Sequence, residues 1–194
     1  MKKIILVALI ILIFAGMGFY SKKFRGVKEV KRNEAESSLI SLPTPRTKGE
    51  VSLEETIAKR RSRRDFLDKS LSLVQLSQIL WSAQGITDPE EFKRAAPSAG
   101  ALYPLEIYLV IGENGVEDLE AGVYHYLPQK HAMEIHQRGD LRRDLAQVAL
   151  GQYFIAEAPL TLVVTAEYER TTGKYGERGN RYVQIEVGQP SWAP

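Results

Sequence analysis

The chain has 194 residues, of which 44% are hydrophobic and 26% charged, the profile of one folded domain with an appendage rather than of a disordered or fibrous protein. Its formal net charge of +2 is too small for a general nucleic-acid-binding surface, so no nucleic-acid partner is expected. The absence of cysteine excludes disulfides, thiolate nucleophiles and thiolate-bound metal centres.

The N-terminus carries a membrane-directed signal. Lys2 and Lys3 precede an uninterrupted apolar run over residues 4–20, which as a helix would extend about 26 Å, the short limit for spanning the hydrocarbon of a bilayer. Retention as a single-pass anchor is favoured over cleavage as a signal peptide, which small residues at 15–18 leave open. The basic residues after the run favour a cytoplasmic domain, and they would equally bind anionic headgroups. Residues 1–21 are therefore predicted to attach the chain to a membrane.

The next part of the chain has the composition of a linker. Residues 22–50 are polar and basic, contain Pro43 and Pro45, and show no sustained apolar periodicity. The folded domain is therefore predicted over residues 51–194.

Two serines mark predicted helix starts in this domain. Ser52 with Glu55 and Ser72 with Gln75 have capping-box spacing, and an apolar helical face follows the second serine as far as Gly85. Later patterns predict, in order, a strand at 105–111, a hairpin of 123–126 and 133–136, a helix from Asp140 to Gly151, a strand at 160–166 and a final helix with Tyr182, Ile185 and Glu186. This irregular alternation favours an α+β sandwich over a regular parallel βαβ array.

All three histidines fall in the predicted hairpin region: His125, His131 and His136. Nothing in the sequence places their rings on one side of it, and a metal site usually demands three or four convergent ligands. Surface or edge histidines are therefore favoured, and no metal site is predicted.

A basic cluster follows the first predicted helix, and its candidate ligand-binding residues are Arg60, Arg61, Ser62 and Arg64. Forked guanidinium donors and a hydroxyl suit the oxygens of a phosphate group. On this cluster alone, a solvated basic turn is the favoured interpretation, because short basic runs are common on surfaces.

A second cluster of small residues lies between two prolines, directly before a predicted strand: Pro97, Ser98, Ala99, Gly100 and Ala101. Small side chains let backbone approach a flat ligand, and the Ser98 hydroxyl and exposed amides offer hydrogen bonds to a heterocycle. A tight structural turn explains the pattern equally well.

A third, glycine-punctuated segment covers residues 171–182, between a predicted strand and a predicted helix, where a site would open. It contains Lys174 and Tyr175, two side chains that can transfer protons. As an isolated dipeptide, a solvent-facing pair is the favoured interpretation.

Taken in order, three stretches resemble the nitroreductase superfamily, and within it the SagB-type, thiazole/oxazole-forming dehydrogenase branch: RRSRRDF, PSAGALYPLEIY, and KYGERGNRY with EVGQ. The resemblance covers roughly residues 40 to 189, and its specificity lies in the joint match, since each motif alone is weak.

The resemblance implies a nitroreductase-like α/β sandwich that binds FMN at the interface of a homodimer. It assigns the flavin phosphate to Arg60, Ser62 and Arg64 within the basic cluster, and the flavin ring to Pro97, Ser98, Ala99, Gly100 and Ala101. Lys174 and Tyr175 match the positions implicated in azoline oxidation. The implied reaction is hydride transfer between a small-molecule or peptide substrate and flavin N5, with Tyr175 or Lys174 as the base. The motifs leave open the substrate and whether NAD(P)H donates electrons.

The sequence departs from the family pattern at its end. After Gly188 and Gln189 the family continues into a long core helix, whereas here Pro190 follows, which would stop a helix. The domain is therefore predicted to be C-terminally truncated, with doubtful activity and too little buried apolar area for independent stability.

Two alternatives to the flavoenzyme stay open. One is an inactive membrane-tethered remnant or interaction module that binds anionic lipid or a partner through its basic segments. The other binds phosphate or a nucleotide without redox chemistry.

Overall fold

The computed structural model describes residues 39–91 and 93–189. The predicted membrane segment, residues 1–21, lies outside this range, as does most of the predicted linker. Within the part of the chain that is described, no helix is both long and apolar enough to cross a membrane.

The strands form a five-stranded antiparallel sheet in the order β1-β6-β5-β4-β7 and a separate two-stranded sheet of β2 and β3. In chain order the strands are β1 (Leu39–Ser41), β2 (Ile86–Asp88), β3 (Lys93–Arg94), β4 (Leu105–Ile111), β5 (Gly122–Leu127), β6 (Ala132–Arg138) and β7 (Leu160–Ala166). The strands predicted at 105–111 and 160–166 and the predicted hairpin are confirmed.

The helices are α1 (Leu53–Lys59), α2 (Leu73–Gln84), α3 (Arg142–Val148), α4 (Phe154–Glu157), α5 (Tyr168–Tyr175) and α6 (Arg178–Val187). Ser52 caps α1 by accepting from the Glu55 amide, and Ser72 and Gln75 form a complete capping box on α2. Both serine signals are therefore confirmed, because each satisfies amides that the first helical turn leaves without partners.

Helix α2 covers one face of the large sheet. Leu76 and Leu80 on this helix are fully buried, and they belong to one cluster with Ile107, Leu109 and Tyr126 of the strands. Because side chains alternate along a strand, the residues between the buried ones in β4 point to the opposite face. That opposite face carries polar and aromatic side chains.

The last part of the predicted linker belongs to the folded unit. Strand β1 pairs with β6, and Ile40 and Leu42 pack against the core. The Pro43 carbonyl accepts a hydrogen bond from Ser77 Oγ at 2.5 Å. The same carbonyl lies within hydrogen-bond distance, 3.0 Å, of His131 Nε2. The sequence did not indicate this strand because it has three residues, of which only Ile40 packs against the core.

Two local predictions were wrong in detail. The segment 171–182, predicted as the connection between a strand and a helix, is helical except for a break at Gly176 and Glu177 between α5 and α6. Asp140 lies one residue before the N-cap of α3, which is Leu141, although its carboxylate does accept from the Arg142 amide at 3.1 Å. The segment 171–182 is polar, so it had no apolar face strong enough to indicate a helix.

Candidate active site

The loop before β4 has an unusual backbone. Gly100, in the turn Ala99–Ala101, has φ 67°, and the non-glycine residues Ala101 and Tyr103 also have positive φ, at 54° and 46°. Residues with side chains rarely adopt this left-handed region, and such strain persists only where surrounding contacts over-determine it. The loop must therefore be held by its neighbours.

The first such neighbour is Glu186 on α6, which is 4% exposed. Its Oε1 accepts from Ser98 Oγ at 3.1 Å and from the Ala99 amide at 2.8 Å. Ser98 Oγ in turn accepts from the Tyr103 amide at 2.9 Å. The loop motif predicted that the Ser98 hydroxyl would bond to a heterocycle, but in the structure this hydroxyl donates to Glu186.

Two arginines hold the other end of the loop. The Arg94 guanidinium lies 4.4 Å from the centre of the Tyr103 ring, and the Arg94 amide donates to Tyr103 Oη at 3.2 Å. Arg170 Nη1 on α5 donates to the Tyr103 carbonyl at 3.0 Å. Burial lowers the pKa of Arg94, while the nearby charge of Glu106 opposes that effect. Both ends of the loop are therefore fixed by charged side chains.

The predicted proton-transferring pair lies against the same loop. A Cβ atom placed on Gly100 would be 2.6 Å from Tyr175 Oη and 2.9 Å from Lys174 Nζ. Lys174 is exposed and Tyr175 half-buried, and the two rings of Tyr175 and Tyr182 meet edge to face with centres 5.2 Å apart. The structure thus brings together two of the three predicted site segments.

The position of Lys174 and Tyr175 beside the loop depends on close packing between α5 and α6. A Cβ on Gly179 would lie 2.8 Å from the Cα of Thr172, so only glycine allows the two helices to pack at this distance. The turn between the helices places the C-terminal end of α5 and the C-terminal half of α6 against the loop.

An open cavity of about 280 Å³ lies between the loop and α6. It is lined by Pro97, Ser98, Ala99, Tyr182, Ile185, Glu186 and Gln189. Gln189 Oε1 is buried and has no hydrogen-bond partner among the residues that the structure describes. A buried acceptor without a donor is costly, so this atom marks a place for a polar ligand group.

The basic segment lies apart from this cavity within the chain. Arg60, Arg61, Ser62 and Arg64 are all exposed, and none of them lines the cavity. Arg61 Nη1 donates to two carbonyls at the end of α1, and the Arg64 guanidinium lies 5.3 Å from the centre of the Phe154 ring. The structure therefore does not join the predicted phosphate-binding and ring-binding segments in one protomer.

Comparison with known proteins identifies the family of the chain. Residues 57–191 match the model of the nitroreductase family. The chain is 48% identical over 139 residues to the nitroreductase-family protein MJ1384 of Methanocaldococcus jannaschii, covering 72% of this chain and 69% of that protein. It is 33% identical over 128 residues to the microcin B17-processing protein McbC of Escherichia coli, covering 64% of this chain but 47% of McbC.

Solved structures give the same fold. A nitroreductase-family protein of Ralstonia eutropha superposes with a TM-score of 0.66 at 28% identity, covering 85% of this chain and 74% of that one. The microcin synthetase McbBCD complex of E. coli, with truncated pro-MccB17 bound, gives a TM-score of 0.54 at 25% identity, covering 99% of this chain and 68% of the matched one. The chain belongs to the nitroreductase family, and McbC as a homologue agrees with the predicted SagB-type branch.

FMN is the cofactor that this family implies, and the cavity fits part of it. Small loop residues and the apolar sides of Tyr182 and Ile185 form the walls that a flat ring system needs, and Gln189 Oε1 supplies an acceptor that lacks a donor. The left-handed Gly100 turn keeps side-chain bulk away from this edge of the site.

Two important residues were missed by the sequence analysis as site residues, Glu186 and Gln189. Glu186 was assigned to a helix without a role, because one acidic residue on an amphipathic helix normally faces solvent. A usable signal was its spacing from Tyr182 and Ile185, which places all three on one helix face.

Proposed function

We propose that this protein is an FMN-dependent oxidoreductase of the SagB type that removes hydrogen from a small-molecule or peptide substrate. The observation that carries the proposal is the approach of Lys174 Nζ and Tyr175 Oη to within 3 Å of a Cβ placed on Gly100, in the loop whose residues Pro97, Ser98 and Ala99 line the cavity. A proton-transferring pair beside a wall suited to a flat ring is the arrangement that dehydrogenation requires.

The chain's own residues have separate tasks in this proposal. FMN, when bound, supplies the hydride-accepting atom N5. Pro97, Ser98 and Ala99 form the wall for the ring, and Glu186 fixes that wall by holding the Ala99 amide and the Ser98 hydroxyl. Tyr175 Oη or Lys174 Nζ, in its deprotonated form, takes the proton that leaves the substrate carbon.

We further propose that two copies of the chain complete the site. Within one protomer the basic segment and the cavity are apart, and Ile185, which lines the cavity, is 56% exposed. In a homodimer, Arg60, Ser62 and Arg64 of one copy would hold the phosphate of a flavin whose ring lies on the loop of the other. The related microcin synthetase McbBCD of E. coli is solved as a complex with truncated pro-MccB17 bound. A modified peptide is therefore one substrate class to test.

The first test is the visible spectrum of the full chain purified in a mild detergent. Bound flavin absorbs at about 370 and 450 nm. The cofactor released from the protein is FMN if it carries one phosphate group, which mass spectrometry detects. A colourless protein that also fails to bind added FMN would contradict the proposal and would favour the remnant or interaction module.

The second test is subunit complementation. The Arg60→Ala and Tyr175→Phe variants are each expected to lose most of their activity at a low FMN concentration, because each damages both sites of its own dimer. Refolding them together should restore activity through mixed dimers, in which one site receives an intact residue from each copy. Mixtures that stay inactive while light scattering shows dimers would exclude the shared site but leave the flavin proposal standing.

Attachment to a membrane through residues 4–20 is also proposed, on the strength of the apolar run alone. Fractionation of expressing cells tests it, with removal of residues 1–21 as the comparison. Recovery of the full chain in the soluble fraction would contradict attachment.

A further inference from the structure

A group of metal-ligating side chains lies on the face of the large sheet that α2 does not cover. His125 on β5 is the register partner of Glu134 on β6, and His136 lies two residues beyond Glu134 on the same strand and face. One ligand atom from each of the three lies within 4.8 Å of the other two. The third histidine, His131, is elsewhere and bonds to Ser77 and Tyr126.

The distances between ligand atoms suit a tetrahedral metal ion. Glu134 Oε1 lies 3.6 Å from His125 Nδ1 and 3.3 Å from His136 Nε2. Ligand atoms about 2.0–2.1 Å from zinc at tetrahedral angles lie about 3.3–3.4 Å apart, so an ion can sit among these atoms after small side-chain movements.

The surroundings of His125 strengthen the case. The ring nitrogen that faces away from the cluster, Nε2, contacts Glu106 Oε2 at 2.8 Å, and Glu106 Oε1 in turn pairs with Arg170 Nη2 at 2.5 Å. A histidine that ligates a metal commonly shares its other nitrogen with a carboxylate, which fixes the tautomer and ring orientation.

The rings are also held in position and reachable from solvent. Tyr108 on β4 stacks on His125 with ring centres 4.6 Å apart and meets the His136 ring edge to face at 5.4 Å. The side chains of His125, Glu134 and His136 are 15%, 28% and 27% exposed, so an ion and a water molecule can enter.

We infer that His125, Glu134 and His136 form a binding site for a divalent transition-metal ion of the zinc class. Two neutral imidazoles and one carboxylate give the mixed nitrogen and oxygen ligands that zinc accepts, and three protein ligands leave the fourth position for water or a substrate atom. Glu106 is a positioning residue, which acts by orienting His125. The site is separate from the flavin-ring loop and adds to the proposed function without depending on it.

The experiment is zinc titration by calorimetry of the full chain, purified in mild detergent without a histidine tag and stripped with a chelator. One Zn²⁺ per chain is expected, and Co²⁺ should give the intense visible bands of a tetrahedral site. His136→Ala and Glu134→Gln should each weaken zinc binding at least about tenfold, and Glu106→Gln should weaken it about 10- to 100-fold by releasing His125.

The matched control is Glu117→Gln, which removes one exposed carboxylate away from the cluster and should bind zinc as the unaltered chain does. His131 is retained in every protein, so any background binding to it is common to all. Circular dichroism confirms that His136→Ala, a change at a strand surface, remains folded. Two results would show that these residues form only ion pairs. One is that the unaltered chain shows no saturable zinc binding. The other is that the His136→Ala and Glu134→Gln variants bind zinc as tightly as the unaltered chain does.

Discussion

The hydroxyl of Ser98 and the carboxylate of Glu186 are joined by a hydrogen bond of 3.1 Å, which links the loop before β4 to a helix 88 residues further along the chain. The same carboxylate oxygen also accepts from the Ala99 amide. The shape of the ring-binding wall is therefore set by α6, and the contact gives the first prediction.

Replacing Glu186 with Ala should destabilise the loop. The Ala99 amide and the Ser98 hydroxyl would both lose their acceptor in a buried place, at a cost of about 1–3 kcal/mol in the free energy of unfolding. Chemical denaturation measures that loss, and a flavin titration measures the weaker binding that follows. Gln184→Ala is the control, because Gln184 is exposed on the same helix. Equal effects of the two substitutions would show that Glu186 does not hold the loop.

Gly100→Ala should lower activity more than stability. The new methyl group would meet Tyr175 Oη and Lys174 Nζ, which are flexible ends that can move away, and the left-handed backbone adds about 1–2 kcal/mol of strain. Gly173→Ala is the matched control, since a Cβ there meets nothing within 4 Å and lies inside α5. Turnover by both variants is compared with their unfolding midpoints. If Gly100→Ala turns over substrate as fast as the unaltered chain, Lys174 and Tyr175 do not take part in the reaction.

Tyr175→Phe and Lys174→Ala test the proton-transfer role directly. If one of them is the base, its loss should reduce kcat on an azoline-containing peptide about 10²- to 10⁴-fold while the FMN content stays unchanged. Tyr168→Phe removes a hydroxyl from the other end of α5 and should leave kcat unaltered. A result in which neither Lys174→Ala nor Tyr175→Phe lowers kcat would rule out the pair as base.

The basic segment should distinguish FMN from riboflavin, which lacks the phosphate. Arg60→Ala and Arg64→Ala are expected to weaken FMN binding about 10- to 100-fold, because each removes a charge-assisted hydrogen bond, and to leave riboflavin binding unchanged. Arg63→Ala is the control within the same exposed segment. Fluorescence titration measures both ligands. If Arg63→Ala weakens FMN binding as much as Arg60→Ala and Arg64→Ala do, the segment attracts the phosphate by its total positive charge and not by specific hydrogen bonds.

Asp140 predicts a defined response to acid. Hydrogen bonds from Arg142 lower the pKa of Asp140 to about 2, against the raising effect of burial. A lowered pKa stabilises the folded state above the ordinary aspartate range, and this contribution is lost as pH falls towards about 2. Asp140→Asn should therefore lower the free energy of unfolding by about 1 kcal/mol at pH 7, with the difference vanishing near pH 2.

Urea unfolding at both pH values measures this difference. Asp144→Asn removes the same charge from the exposed first turn of α3 and should have a much smaller effect at pH 7. A gap between Asp140→Asn and the unaltered chain that persists at pH 2 would argue against the ion pair as its source.

Sequence reasoning recovered the parts of the fold that have strong apolar patterns. Strands β4 and β7 and helix α2 were placed correctly because runs such as residues 105–111 and the apolar face after Ser72 have one clear period. The polar helices α5 and part of α6 were predicted as loop, since glycines at 173, 176 and 179 read as breaks although two of them lie within helices.

The sequence predicted the segments of the candidate site but not the contacts between them. The loop at residues 97–101 and the pair Lys174 and Tyr175 were both named from motifs, and the structure places them together. The use of Ser98 by Glu186 depends on contacts across 88 residues, and the zinc cluster depends on the register of two strands. Neither relation has a local sequence signal.

Arg170 has a consequence for how this protein can diversify. It lies one helical turn before Lys174 on α5, and its guanidinium is fastened to Glu106 of the sheet. The backbone position of the lysine above β4 is thus set by this ion pair with the sheet and by the hydrogen bond from Arg170 to the Tyr103 carbonyl. Pro97 and Ala99 can therefore change to side chains that admit differently shaped substrates without moving the backbone of Lys174.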